Sequence, residues 1–275
     1  MVSALLNENP SPLAPELSFF CSSSMPSADN APTPVSLSSV SLQQNVFVFC
    51  VLGVWVWTAP VESRLDENNL PTITQFIRNR HGTNRMYAMA IAIPAADCNQ
   101  NLGAPTLESI VGSDTSDTVT NGLNTGQKIY EGERVIAARP LEVNDNNNQR
   151  LYTEHAEFRL LSGPLQRLRS RNQGACLFFF VLASPCLGKC LDRNNQNNII
   201  PLLGQFTQWS EKAARNTAFV FHHIFNKNPD NSPGALWDGF QPIWGRVSLY
   251  RCTGRQCHNC EVAREQAGQN RCYRN

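Results

Sequence analysis

The sequence predicts an α/β domain in which helices pack on a largely buried sheet. Ala175 to Ala183 (ACLFFFVLA) offers no polar position, as expected of a central strand covered on both faces. On either side of it, apolar segments of strand length alternate with segments at helical spacing, the order that builds a layered sheet. A chain of 275 residues can carry one such core plus appendages.

Leu70 to Arg80 (LPTITQFIRNR) reads as a short helix with Pro71 in its first turn, where a missing N–H leaves no bond unmade. Met86 to Ile93 (MYAMAIAI) is an uncharged apolar strand ended by Pro94. Asp97 to Gln127 is rich in Gly, Asn, Asp and Ser and reads as loop. Arg134 to Ala138 forms the second strand, stopped by Pro140 and the polar turn Asn144 to Asn148. From Glu154 to about Leu161, the spacing of Ala156, Leu160 and Leu161 predicts a helix that continues through Leu165 and Leu168 after a kink at Gly163-Pro164.

The central strand follows, and a further helical turn begins at Cys186. Ile200 to Ala214 has helical spacing at Leu203, Phe206 and Ala213, and Phe219 to Phe225 (FVFHHIF) is a strand. Trp237 to Trp244 reads either as helix or as an irregular aromatic segment. Val247 to Cys252 is a last strand leading into a tail rich in Cys and Arg. No internal repeat is present.

Two short strings carry the chemistry: His155-Ala156-Glu157, opening a helix, and Pro185-Cys186-Leu187-Gly188-Lys189-Cys190, following the central strand. One histidine and two cysteines make the three-donor set of a catalytic zinc, whose fourth position holds a water made acidic by the ion. Glu157 need not be a ligand. Residues two apart on a regular helix face different sides, so the pair sits in the first turn with the carboxyl free to carry protons. The usual cysteine spacing is Cys-x-x-Cys, whereas three residues intervene here. Positions i and i+4 still share a helix face, so both thiols can converge on one ion. Alone, a His-x-Glu string is weak; joined to Pro-Cys after a strand it is specific.

These strings, with Ser184-Pro185-Cys186 behind the apolar strand, resemble the cytidine deaminase superfamily. Within it they are similar to the AID/APOBEC-like polynucleotide deaminases, and the leader and extra cysteines narrow the likeness to the secreted AID/APOBEC-like deaminases. The likeness spans about Leu70 to Leu249, with specific motifs only in the two zinc segments. It implies a five-stranded mixed sheet with helices on both faces. It also implies zinc held by His155, Cys186 and Cys190, Glu157 as the catalytic proton carrier, and Ala156 and Ser184 beside the target base. The loop after the FVFHHIF strand would contact the neighbouring nucleotide, which makes His222 and Phe225 candidate substrate contacts. In a strand only one of His222 and His223 faces the core, and a surface histidine beside a satisfied inner one is the plain alternative. Phe225, Trp237, Phe240 and Trp244 would either stack on unpaired bases or fill the core.

Ten cysteines are present. Cys21 and Cys50 lie in the N-terminal region and Cys186 and Cys190 are assigned to zinc. Cys98, Cys176, Cys252, Cys257, Cys260 and Cys272 remain, an even set suited to three disulfides whose pairing the sequence leaves open. A second zinc site built on Cys257-His-Asn-Cys260 is the competing reading of the tail, but it lacks a paired second half. Disulfides suit an exported protein. The N-terminal region agrees in part. Residues 1–44, rich in Ser, Pro and Ala, are expected to be disordered. Residues 45–63 contain the apolar run Val46 to Trp57 and a small-residue pattern at Val61 and Ser63, as in a signal peptide cleaved near Ser63. No basic residue precedes that run, so a buried strand and an uncleaved anchor also remain open. No permitted N-glycosylation sequon occurs.

The expected organisation is therefore an extension (1–44), a leader-like segment (45–63), a zinc deaminase domain (64–251) and a cysteine-rich basic tail (252–275). Net charge is +1, and residues 64–275 alone carry +5. That excludes a polybasic nucleic-acid protein while leaning toward anionic ligands. Arg167, Arg169 and Arg171, and Arg251, Arg255, Arg264, Arg271 and Arg274 in the tail, are either phosphate contacts or solvated charge. The function expected is deamination of cytosine in single-stranded nucleic acid by a secreted protein with no stable membrane association after leader cleavage. Deamination of free nucleosides or small molecules, and non-catalytic binding with zinc as a staple, are the alternatives.

Overall fold

A computed structural model describes residues 64–81, 85–147, 149–209 and 216–274. The expected disordered extension, the leader-like segment and Ala213 lie outside them. Strands β1 (Ala88–Ile93), β2 (Ile129–Glu131), β3 (Val135–Ala138), β4 (Leu141–Asn144), β5 (Arg150–Glu154), β6 (Cys176–Ala183), β7 (Thr217–His223), β8 (Ser248–Thr253) and β9 (Gln256–Asn259) follow in chain order. Helices are α1 (Leu70–His81), α2 (Ala104–Val111), α3 (Ser116–Asn124), α4 (Ala156–Leu161), α5 (Pro164–Arg171), α6 (Gly204–Trp209) and α7 (Pro233–Phe240). The order of the main sheet is β2-β3-β1-β6-β7-β8-β9, mixed in direction: β6, β7 and β8 are mutually parallel and the other pairings antiparallel.

The sheet thus has seven strands, not five. Its inner five are the segments whose apolar runs announce them. The two added strands are edges of three and four residues with half-exposed or exposed side chains. Short, mixed-polarity edges carry little sequence signal because only one side of them is paired. The tail supplies β9 by turning back on β8, with Cys252 opposite Cys257 in register.

Strand parity sorts the core into two layers. On one face Ala88, Ala90 and Ala92, Phe179 and Phe219 pack with Leu160 and Leu161 of α4, Leu165 and Leu168 of α5, Phe206 of α6 and Phe240 of α7. On the other, Met89 and Ile91, Phe178 and Phe180, and Val220 pack with Ile73 and Ile77 of α1, Leu107 of α2 and Val119 of α3. The three alanines of β1 let α4 and α5 lie close to the sheet. Phe179, Phe206 and Phe219 form a ring triad at 4.9–5.8 Å between centroids, and truncating one such buried ring costs about 3–5 kcal/mol.

Several local differences from the sequence reading have physical causes. The segment read as loop over Asp97–Gln127 contains α2 and α3. Pro105 sits in the first turn of α2, and the Thr115 hydroxyl caps α3 by accepting from Thr118 N–H. The polar residues that suggested a loop are the solvent faces of these helices. β4 and β5 form a separate two-stranded hairpin around the polar turn, with side chains no more than half buried. α4 and α5 are separate helices because Gly163 between them adopts φ +148°, a conformation open to glycine. Residues 200–209 are a 3₁₀ turn (Ile200–Leu203) running into α6.

Candidate active site

The site lies at the carboxyl ends of the parallel strands β6 and β7, beside the start of α4. His155 is the N-cap residue of α4, extended at φ −75° and ψ 154°, with Ala156 and Glu157 in the first helical turn. α4 is fixed by Arg159, buried and donating to the carbonyls of Gln127, Lys128 (3.2 Å) and Arg139 (2.7 Å). This ties the start of α4 to the ends of β2 and β3, and with it the histidine.

Cys186 and Cys190 follow β6 on a turn rather than a helix. Leu191 N–H donates to Cys186 O at 3.1 Å, five residues apart, and Cys190 N–H donates to Cys186 Sγ at 3.3 Å. The wider turn takes up the residue that Cys-x3-Cys adds to the common spacing. Asn228 holds the turn from outside: its Oδ1 accepts from Leu187 N–H at 2.8 Å, while its Nδ2 donates to Phe225 O at 3.0 Å.

The three donors converge. His155 Nδ1 lies 3.0 Å from Cys190 Sγ and 3.6 Å from Cys186 Sγ, and the two sulfurs are 3.4 Å apart. A tetrahedral shell with Zn–S of about 2.3 Å and Zn–N of about 2.0 Å has edges of about 3.5–3.8 Å, near these values. Both thiols are free and buried, whereas Cys98–Cys176, Cys252–Cys257 and Cys260–Cys272 are disulfides. Residue type, spacing and burial fit a metal ion, and His155, Cys186 and Cys190 form the group among the described residues able to hold one. The hydrogen bonds with Cys190 and His155 hold the Cys186 thiol below its usual range, while the same contact and burial push the Cys190 thiol up. Thiolate is the ligating form.

Glu157 is buried, with Oε1 3.0 Å from Cys190 Sγ. Burial pushes its carboxyl above the usual range, opposed by the His155 charge and the Cys190 thiol. Above the group opens a cavity of about 530 Å³, the size of a small-molecule pocket. His155, Ala156, Glu157, Ser184, Cys186 and Phe225 all line it.

The remaining predicted contacts divide. Ser184 is held in the backbone: its N–H donates to His223 O at 2.8 Å and its hydroxyl accepts from Phe225 N–H at 3.0 Å. The Phe225 ring stands 6.3 Å from the His155 ring. His222 does not reach the cavity; its Nδ1 donates to Cys252 O at 2.7 Å, and His223 lines the cavity instead. Parity explains the exchange, because His223 shares the face of Phe219 and Phe221. Trp237, Phe240 and Trp244 pack on the core. Arg167 binds Glu131, Arg169 binds Gln208 and Arg171 binds Gly132 O, so this triplet ties α5 to its neighbours.

Sequence reasoning missed Met86, Tyr87, Arg150, Lys189 and Lys227, which also line the cavity. Lys189, between the two cysteines, carried a positional signal; Arg150, on the unforeseen hairpin, carried none.

Arranged this way, the sheet and its His/Cys/Cys group are those of a deaminase-like α/β domain. Residues 67–275 match the family model described as Secreted Novel AID/APOBEC-like Deaminase 1, and the chain belongs to that family. No curated protein and no solved structure gave a significant match.

Proposed function

We propose that the chain is an exported zinc-dependent deaminase that converts cytosine to uracil in single-stranded nucleic acid. The observation that carries this reading is the buried Glu157 carboxyl 3.0 Å from Cys190 Sγ, at the floor of a cavity that also exposes Ala156, Ser184 and Phe225. A purely structural zinc site has no use for such a glutamate.

His155, Cys186 and Cys190 would hold the zinc. When bound, the ion supplies a water acidic enough to act as a nucleophile near neutral pH. Deamination replaces the C4 amino group with the oxygen of that water and releases ammonia. Glu157 takes the proton the water gives up and returns it to the ring nitrogen beside C4. It then moves the second proton to the departing amine. Ala156 and Ser184 bracket the base from the two zinc segments, and Phe225 offers a ring face for stacking.

The cavity lining carries Arg150, Lys189 and Lys227 and one carboxylate, Glu157, with Arg150 also paired to Glu142 at 3.3 Å. That balance favours a phosphate-bearing substrate over a neutral nucleoside. The six disulfide cysteines and the family's secreted character support export.

The test is uracil formation from cytosine in single-stranded DNA, single-stranded RNA and free cytidine by purified protein, beside Glu157→Ala. Conversion of oligonucleotides, abolished in the variant, is expected. Activity on cytidine alone selects a nucleoside deaminase. If both proteins hold one zinc and neither converts any substrate, a non-catalytic zinc protein is the better description. Recovery of the chain from culture medium, with its N-terminus sequenced, tests export.

A further inference from the structure

Arg251, on β8, is buried, and no carboxylate partners its guanidinium among the described residues. Its Nε donates to His222 O at 3.3 Å, and its terminal nitrogen donates to Arg271 O at 3.0 Å and to Arg274 O. A buried cation spent on three backbone carbonyls is a clamp: it fixes the end of the chain against the end of β7. The Cys260–Cys272 disulfide and Tyr273, whose hydroxyl donates to Cys260 O, secure the same segment.

The clamp sets the Arg271 and Arg274 residues, both exposed, close to His222 and so to its neighbour His223 on the cavity wall. His222, His223 and His258 all sit below their ordinary range, first through burial. Arg78 and Arg251 add to this at His222 and His223, and Arg271 and Arg251 at His258. Among the described residues no carboxylate acts on any of the three. Arg78, exposed on α1, thus acts on the same two histidines, of which His223 lines the cavity. The other tail cation with a visible role, Arg264, is engaged by Asp238 at 2.8 Å.

We propose that Arg78, Arg271 and Arg274 form a backbone track that carries the nucleotides flanking the target base out of the cavity, past His223 and across the clamped C-terminal segment. The ligand is the phosphodiester chain of single-stranded nucleic acid. This inference rests on the nucleic-acid reading of the cavity and adds where the rest of the strand runs. The clamp to His222, next to the cavity-lining His223, favours a strand leaving the cavity over any other polyanion.

The experiment measures binding, so it does not depend on turnover. In a Glu157→Ala background, affinity for a labelled fifteen-nucleotide oligothymidylate is followed as salt is raised. For a single strand, removing one cation that neutralises a phosphate reduces the slope of log K against log salt by about 0.7. Arg271→Ser/Arg274→Ser is expected to lower the slope by about 1.4 and weaken binding about tenfold at low salt. Arg78→Ser, on a different element, lowers it by about 0.7. Arg264→Ser removes a charge from the same tail and leaves the slope unchanged. Equal slopes for the parent and the first two variants, with disulfides intact by mass, overturn the track. So does loss of heparin binding in these variants with oligothymidylate binding retained, which would mark a polysaccharide surface. If the parent does not bind oligothymidylate while the wild type deaminates free cytidine, the track fails and the deaminase stands.

Discussion

Glu157 Oε1 and Cys190 Sγ, 33 positions apart in sequence, meet at 3.0 Å in a buried contact. The contact places a buried carboxyl against the His155, Cys186 and Cys190 group that could hold a metal ion. Glu157→Gln keeps the shape and removes the base. Uracil formation is expected to fall by at least about 10²-fold, the usual worth of a positioned general base. Zinc content stays at one per chain. Because burial raises this carboxyl, the neutral amide removes a desolvation cost, and thermal stability should hold or rise. Loss of zinc in the variant would instead make Glu157 a ligand.

Asn228 reaches the metal-binding turn only through Leu187 N–H at 2.8 Å. Asn228→Ala leaves that amide unheld and loosens the turn that sets Cys186 against Cys190. Residues that orient metal ligands in this way are worth about 10–100-fold in affinity. A drop of about tenfold in zinc affinity, read by competition with a chromogenic chelator, is expected with the fold retained by circular dichroism. Unchanged affinity would show that the turn is held by its own bonds from Cys190 and Leu191.

The inner strands and the two segments that bring His155, Cys186 and Cys190 together were legible in sequence because each rests on a strong local signal. ACLFFFVLA can only be a covered strand, and His-x-Glu with Pro-Cys places four chemical groups at once. Where the signal was weak, so was the reading. α2 and α3 hide among Gly, Asn and Ser that serve as solvent faces, and β2, β4, β5 and β9 have no apolar run. His222 and His223 were indistinguishable until the register of β7 assigned their faces. The Cys186–Cys190 turn is set by a bond between residues five apart and by Asn228, about forty positions on. No local pattern encodes such a partner.

The three disulfides close loops of very different length, with sequence separations of 78, 5 and 12 for Cys98–Cys176, Cys252–Cys257 and Cys260–Cys272. In the chain-entropy description, cross-linking stabilises by about 4.5, 2 and 3 kcal/mol for such loops. Replacing each pair by serine should therefore lower Tm most for Cys98–Cys176, which joins the loop after β1 to the start of β6. Cys252–Cys257 should matter least, because the β8–β9 hairpin already holds its ends in register. Calorimetry on the three double variants checks the order. A larger loss at the hairpin would show that β9 depends on its cross-link to pair at all.

His81, at the end of α1, is buried beside Arg80, and burial first, then that charge, bring its imidazole down to about 4. In the unfolded chain it titrates near 6.5. Between these values the unfolded state binds a proton that the folded state refuses, so acid favours unfolding. The stabilisation is fully present above about pH 6.5 and is lost as pH falls toward 4, at up to about 1.4 kcal/mol per pH unit. Urea denaturation across this window should show the native state weakening on acidification, and His81→Gln, which cannot take the proton, should flatten that slope. If His81→Gln and the parent lose stability in parallel, other groups carry the pH dependence and His81 takes its proton in the folded state without cost.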